Sequence, residues 1–470
     1  MNAHLRRTFY LFVAGFVSLV GVMAYWQVYA RESLANNPNN ALQTRRSIEA
    51  PRGLILAGDG ETVLAESVKR TSGSDTVYER VYPQGELYSN VVGYWSTKYG
   101  ATGIEIGENS NLSGTAEPAT LEELINQISG GPRPGNNVQL TLDPELQRLA
   151  YEALAASNTG KGSAVAIDPR TGDVLAMVSY PSYDPNNIDE RFPDLQNDPN
   201  DPLLNRATQG LYVPGSIFKV ITAAAALQSG VRPTDTFVDD GTYQRPGFTV
   251  VNYDNASYGR VTFSEALAFS INTIFAEIAV EEVGAQRLYQ TAWDFGFKDP
   301  YAEFPLEVSP SVLGDGDLAQ LSFGQDTVVT NVFEMANVTA AVGNDGTMME
   351  PRIVEEIRSP DGIIIDRPAP REKAEVLDPQ TANTLQQMMV GVVEEGTATD
   401  AQIQGIEVAG KTGTAEVPPL APNSWFMAFA PADDPRIAVA VLVENGGDGE
   451  KAALPIVRLL LEEYLRRDGG

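Results

Sequence analysis

Three short patterns in this 470-residue chain bring together side chains able to do chemistry: Ser216-Ile217-Phe218-Lys219, Ser270-Ile271-Asn272 and Lys411-Thr412-Gly413-Thr414. Each of Ser-x-x-Lys, Ser-x-Asn and Lys-Thr-Gly occurs once, in that order. A serine hydroxyl is a weak nucleophile until a base takes its proton. Ser216 and Lys219 are three residues apart, so on a helix they share a face. The stretch from Ser216 to Leu227 is apolar nearly all round, which predicts a buried helix. A buried amine loses its proton more readily than an exposed one. Bringing a lysine from about 10.4 down to about 7 takes roughly 4–5 kcal/mol of environment. Val213-Pro214-Gly215 ends an extended segment ahead of the helix, leaving free N–H groups and the positive dipole end at Ser216. Taken alone, the pair also fits an N-cap serine and a snorkelling lysine. The other two patterns turn the balance toward catalysis.

The composition limits the alternatives. The chain has no cysteine and one histidine, His4. Thiolate nucleophiles, disulfides and Cys-ligated metals are therefore excluded, and a Ser-His-Asp triad would have to use His4. Any general base elsewhere must be Lys, Asp, Glu or Tyr. No metal and no cofactor is expected. With 33 Lys+Arg against 62 Asp+Glu the net charge is −29, which argues against nucleic acid as a partner.

Stepping outward, Phe9 to Ala30 is an uncharged run of length sufficient for one transmembrane helix, with Tyr25, Trp26 and Tyr29 at its far end. Arg6 and Arg7 precede it, which predicts a cytoplasmic N-terminus and an extracytoplasmic bulk. A cleaved signal peptide ending near Ala30 is the competing reading. His4 then lies on the wrong side of the membrane for chemistry done by the rest.

Residues 31–135 read as a small extended module, closed by the breaker cluster from Gly130 to Asn137. Beyond it, a strand over Val138–Leu142 and a helix from Asp143 to about Ala156 are expected. Strands follow at Gly162–Asp168 and Asp173–Ser179, then an acidic stretch, Asp184–Asp201, read as a solvated loop. Helices are expected at 216–229, 264–283, 285–295, 330–344 and 379–395. Strands return at 408–415, 424–430 and 437–444, before a closing helix at 454–467. A helical block set between N-terminal and C-terminal strands predicts one α+β domain over 136–470.

The three patterns together resemble the serine penicillin-recognising enzymes. Asn205-Arg206-Ala207, Tyr212-Val213-Pro214-Gly215-Ser216, Phe323-Gly324-Gln325, Glu395-Gly396-Thr397-Ala398 and Trp425-Phe426 resemble segments of monofunctional, class B penicillin-binding proteins. Tyr180-Pro181-Ser182-Tyr183-Asp184-Pro185-Asn186 belongs to the same set. Arg52-Gly53 and Tyr82-Pro83 with Gly103-Ile104-Glu105 resemble that class's N-terminal module, here short as in the actinobacterial penicillin-binding protein A group. Asn423-Ser424 departs from it, standing where His-Ala is frequent.

The resemblance implies a serine β-lactamase/transpeptidase-like fold, a central antiparallel sheet with a helical subdomain. It implies a tail at 1–8, a transmembrane helix at 9–30, a pedestal at 31–135 and a transpeptidase domain at 136–470. It further implies that Ser216 attacks a stem peptide ending in D-Ala-D-Ala with Lys219 as base. Ser270 would relay a proton and Asn272 would hold Lys219 and the substrate amide. Lys411 would keep Lys219 neutral, Thr412 and Thr414 would grip the terminal carboxylate beside Gly413, and the N–H groups of Ser216 and Thr414 would form the oxyanion hole. β-Lactams would acylate the same serine. A polytopic membrane glycosyltransferase is implied as partner, because 31–135 is too short for a glycosyltransferase domain. A carboxypeptidase or β-lactamase, and a β-lactam sensor without turnover, are the alternatives.

Overall fold

A computed structural model describes residues 3–25, 50–72, 75–116 and 133–468. Trp26, Tyr29, the candidate cleavage site at Ala30 and Gly130–Pro132 of the expected boundary lie outside them. The described N-terminal helix is Ala3–Ala24, which begins before the expected Phe9, and Arg6–Met23 is long and apolar enough to cross a membrane.

The centre of the molecule is an antiparallel five-stranded sheet in the order Ala409–Val417, Leu420–Ala430, Ile437–Val443, Gly162–Ile167, Val174–Tyr180. Its inner strands Gly162–Ile167 and Ile437–Val443 are buried at every position, hence their unbroken runs of small and branched apolar residues. Side chains alternate along a strand, so Ser424 and Phe429 look to opposite faces. Ser424 Oγ accepts from the Ala453 N–H in the closing helix, Gly449–Asp468, which packs beside Pro144–Ala155. Phe429 meets Gly343, at the end of the wholly buried helix Val332–Gly343, which packs beside Pro379–Glu394. The sheet is therefore covered on both sides.

The capped helices begin where their sequences say. Asp143 accepts from the N–H groups of Glu145 and Leu146 with Pro144 in the first turn, and Asp378 does the same ahead of Pro379. One expectation changes. The acidic stretch contains a helix, Ile188–Gln196, capped through a turn in which Asp184 accepts from the Asn186 N–H. The helical stretch expected over 264–283 consists of Phe263–Ala268, Asn272–Ile278 and a π turn, Ala279–Val283, with Ser270 at φ +58° between the first two.

A second, six-stranded sheet runs in the order Ile364–Asp366, Val354–Arg358, Asn137–Leu140, Ile55–Leu56, Val63–Ser72, Asp75–Val81. Beneath its N-terminal strands Glu105 is fully buried. It accepts from Arg52 Nη2 at 2.8 Å, Arg80 Nε at 2.6 Å and Tyr82 Oη at 3.2 Å. The two guanidiniums hold its carboxyl below the ordinary range against the opposing effect of burial. The scattered segments Arg52-Gly53, Tyr82-Pro83 and Gly103-Ile104-Glu105 thus meet at one ionic centre.

Candidate active site

Ser216 sits in a 3₁₀ turn, Gly215–Phe218, that runs into the helix Lys219–Gln228. The turn is pinned from several sides. Gly215, at φ +59°, donates its N–H to the Gly324 carbonyl at 2.9 Å and passes so near Thr414 that a Cβ would lie 2.7 Å from its carbonyl oxygen. Just upstream, Tyr212 exchanges two backbone hydrogen bonds with Thr330 and donates its hydroxyl to Glu444 at 2.8 Å. The fully buried Arg206 pairs with the same carboxylate at 2.8 Å, and Trp425 Nε1 donates to the Val213 carbonyl. Four of the segments on which the family resemblance rests, those of Arg206, Tyr212–Ser216, Gly324 and Trp425, therefore meet at the approach to Ser216.

Lys219 is fully buried. Its Nζ lies 3.2 Å from Ser216 Oγ, 2.6 Å from the Ser270 carbonyl, 3.1 Å from Ser270 Oγ and 2.7 Å from Asn272 Oδ1. Among the described residues it has no carboxylate in ion-pair range. Burial, followed by repulsion from Lys411, holds it well below the ordinary lysine range. A neutral amine has two N–H groups and one lone pair. Two short bonds to acceptor-only oxygens use both N–H groups, and the lone pair is left for a hydroxyl proton.

Lys411, also fully buried, donates to Ser270 Oγ at 2.9 Å and to the Thr412 carbonyl at 3.1 Å. Burial lowers its amine to about 7. Ser270 thus stands between the two lysines. Asn272 opens the helix Asn272–Ile278 and donates its Nδ2 to the Val251 carbonyl at 3.2 Å.

Ala409–Val417 is the edge strand of the five-stranded sheet. The Thr414 carbonyl faces Gly215, away from the neighbouring strand, and in a strand the N–H of a residue points the same way as its carbonyl. The Thr414 N–H therefore looks toward the Ser216 turn. Gly413 is tightly packed: a Cβ would meet Ile217 at 2.9 Å and Trp425 at 3.0 Å. Thr412 and Thr414 line an open cleft of about 690 Å³ together with Ser216, Ser270 and Asn272. All the residues singled out from the sequence are thus gathered at one place, with Lys219, Lys411 and Gly413 behind its surface.

Sequence reasoning missed part of the lining. Thr397 borders the cleft, its Oγ1 2.7 Å from Thr412 Oγ1. It stood in a recognised segment with no role attached. Tyr253 donates its hydroxyl to Asp448 Oδ1 at 3.0 Å, joining the turn Tyr253–Asn255 to the start of the closing helix, and Asp254, Glu416 and Glu450 add charge along the rim. Nothing in their local sequence signals this. The unusual pair Asn423-Ser424 fastens the same rim: Asn423 Oδ1 accepts from the Asn445 N–H and Ser424 Oγ donates to the Asp448 carbonyl, both at 2.9 Å.

Comparison with known proteins gives a consistent picture. Residues 162–462 match the family described as penicillin binding protein transpeptidase domain, and residues 52–138 match the penicillin binding protein A dimerisation domain. The chain is 37% identical to the peptidoglycan D,D-transpeptidase PbpA of Mycolicibacterium smegmatis, over 99% of each chain. It is 35% identical to the protein of the same name from Mycobacterium tuberculosis, again over 99% of each. The crystal structure of PBPA from M. tuberculosis superposes with a TM-score of 0.83 at 34% identity, covering 89% of this chain and 100% of that one. An imipenem acyl-enzyme complex of penicillin-binding protein A from M. tuberculosis superposes at 0.82 with 35% identity, over 89% and 99%.

Proposed function

Because the chain belongs to the penicillin-binding protein transpeptidase family, we infer that its cleft carries out the reaction of a class B peptidoglycan D,D-transpeptidase. It is a serine-type acyltransferase that β-lactams acylate.

In the assignment we propose, Ser216 Oγ attacks the carbonyl carbon of the penultimate D-Ala of a stem peptide and its proton passes to Lys219 Nζ. The carbonyl oxygen takes up the negative charge against the N–H groups of Ser216 and Thr414, a contribution of about 3–4 kcal/mol per donor. Ser270 hands its proton to the departing D-Ala amine and takes up the one held by Lys219, 3.1 Å away, the C–N bond breaks, and the acyl group stays on Ser216 as an ester. Asn272 holds the Lys219 amine and the substrate amide. Lys411 favours the neutral form of Lys219, while Thr412 and Thr414, with Gly413 allowing close approach, hold the terminal carboxylate. An amine from a second stem peptide then attacks the ester, completing the cross-link and returning Ser216 its proton. A β-lactam follows the first half alone, because its leaving amine stays tethered to the acyl group.

The observation that carries this reading is the Lys219 amine, buried with no carboxylate in range among the described residues, bonded to the Ser270 carbonyl and Asn272 Oδ1, with its Nζ 3.2 Å from Ser216 Oγ. Covalent labelling of the full chain by a fluorescent penicillin is expected, and its loss in Ser216→Ala. Undiminished labelling of that variant would refute the nucleophile assignment. Release of the label over many minutes is expected, whereas rapid turnover would identify a hydrolase.

We further propose that the helix Ala3–Ala24 anchors the chain with its N-terminus cytoplasmic and its catalytic domain outside, supported by Arg6 and Arg7 at the helix start. The division into tail, anchor, pedestal to 135 and transpeptidase domain from 136, and a polytopic glycosyltransferase as membrane partner, belong to the same proposal.

A further inference from the structure

We propose that Thr397 is a positioning residue for substrate carboxylate recognition, acting through the hydroxyl of Thr412; this rests on the transpeptidase reading above. The two hydroxyl oxygens are 2.7 Å apart at the wall of the cleft. A hydroxyl carries one proton and two acceptor positions. Two hydroxyls in contact spend one proton on each other and keep one free. When Thr412 donates to a carboxylate, the bond between the hydroxyls has to run from Thr397 to Thr412. The resulting chain, Thr397 to Thr412 to anion, polarises each link and strengthens the last. It also fixes the Thr412 rotor, which would otherwise swing freely.

The backbone holds Thr397 at that point. Its N–H donates to the Ala268 carbonyl at 3.1 Å, and a Cβ on Gly396 would lie 2.3 Å from the same oxygen, so only glycine fits there. Ala268 ends the helix that leads into Ser270. The preceding helix, Pro379–Glu394, packs against the Lys219 helix, the Phe263–Ala268 helix and the Lys411 strand. Thr397 thus ties the turn that carries the proton relay to the strand that carries the carboxylate grip.

The test compares second-order acylation rates of the full chain by a penicillin and by its carboxylate methyl ester. Thr397→Val keeps the shape and removes the hydroxyl; Thr397→Ser keeps the hydroxyl. Thr397→Val is expected to lose about tenfold with the acid, the effect of one hydrogen bond serving a charged group, and less than about twofold with the ester. Thr397→Ser is expected to stay near the wild-type rate with both. A valine variant that acylates normally with the acid, or that loses equally with acid and ester, overturns the proposal, as does a serine variant that fails to restore the rate. A wild-type chain that takes no label overturns the transpeptidase reading and the proposal with it.

Discussion

Two amines that share one hydroxyl cannot both keep their protons without cost. Burial lowers both, Lys411 to about 7, and the charge of Lys411 adds to the effect of burial on Lys219. For an anionic β-lactam the two titrations oppose each other. Falling pH protonates Lys219, the proposed base, whereas rising pH through about 7 discharges Lys411, which lies against the Thr412 carbonyl behind the proposed carboxylate grip, and so weakens the attraction for an anion there. A bell-shaped acylation profile is expected, whose alkaline arm flattens for a methyl ester. A profile of identical shape for acid and ester would show that the charge of Lys411 does not act on the carboxylate. Lys219→Arg retains a cation that cannot act as a base, so it should lower acylation by at least about a hundredfold; retention of activity would mean the charge, not the lone pair, is what matters. At this scale the sequence was informative because the chemistry demands particular residue types at fixed spacing. Thr397 escaped notice because a threonine after glycine is common, and its partner stands fifteen positions away on another element.

Among the elements, helices with a capping aspartate and a first-turn proline were legible from local physics, and the break at Ser270 was not. Apolar periodicity runs on through 263–278, so nothing local announces a non-glycine residue in the left-handed region. Neighbouring bonds hold it there: the Ser270 N–H donates to the Leu267 carbonyl and that of Ile271 to Ala266, at 3.2 and 2.9 Å. The conformation aims both the carbonyl and the hydroxyl of Ser270 at Lys219. Such strain, of order 1–3 kcal/mol, is found where function requires it. The helix Ile188–Gln196 was hidden differently, since Pro193 and a run of acids read as loop. A further element-level expectation concerns Glu334, fully buried in the first turn of Val332–Gly343, where it accepts from Tyr301 Oη at 2.8 Å. Burial pushes its carboxyl up to about 8 from an ordinary 4.5. With the folded value raised, stability is complete below about 4.5 and is lost as pH climbs toward about 8. Melting temperatures of Glu334→Gln should fall less between pH 5 and about pH 8.5 than those of the wild type. Parallel curves would show that this carboxyl contributes nothing to the pH dependence.

The whole molecule carries a net charge of −29, and carboxylates Asp254, Glu416, Asp448 and Glu450 border the cleft mouth. An anionic β-lactam approaches against that field, which salt screens over about 10 Å at 0.1 M. Acylation should therefore accelerate as salt rises to moderate concentration, and rates that fall instead would show that the lysines dominate even at the mouth. The α+β class was readable from the order of strands and helices and the central sheet from the family resemblance, but the second sheet was not, because its pairing joins segments far apart in the chain. Asn137–Leu140 lies between Ile55–Leu56 and Val354–Arg358, about 200 residues downstream. Synthesis proceeds from the N-terminus at about 5–20 residues per second. The strands Ile55–Leu56, Val63–Ser72 and Asp75–Val81 therefore emerge first and wait on the order of ten seconds or more with one edge bare. A bare edge invites pairing with a second chain. Until Val354–Arg358 arrives to close this sheet, its open edge offers neighbouring nascent chains a template to pair with.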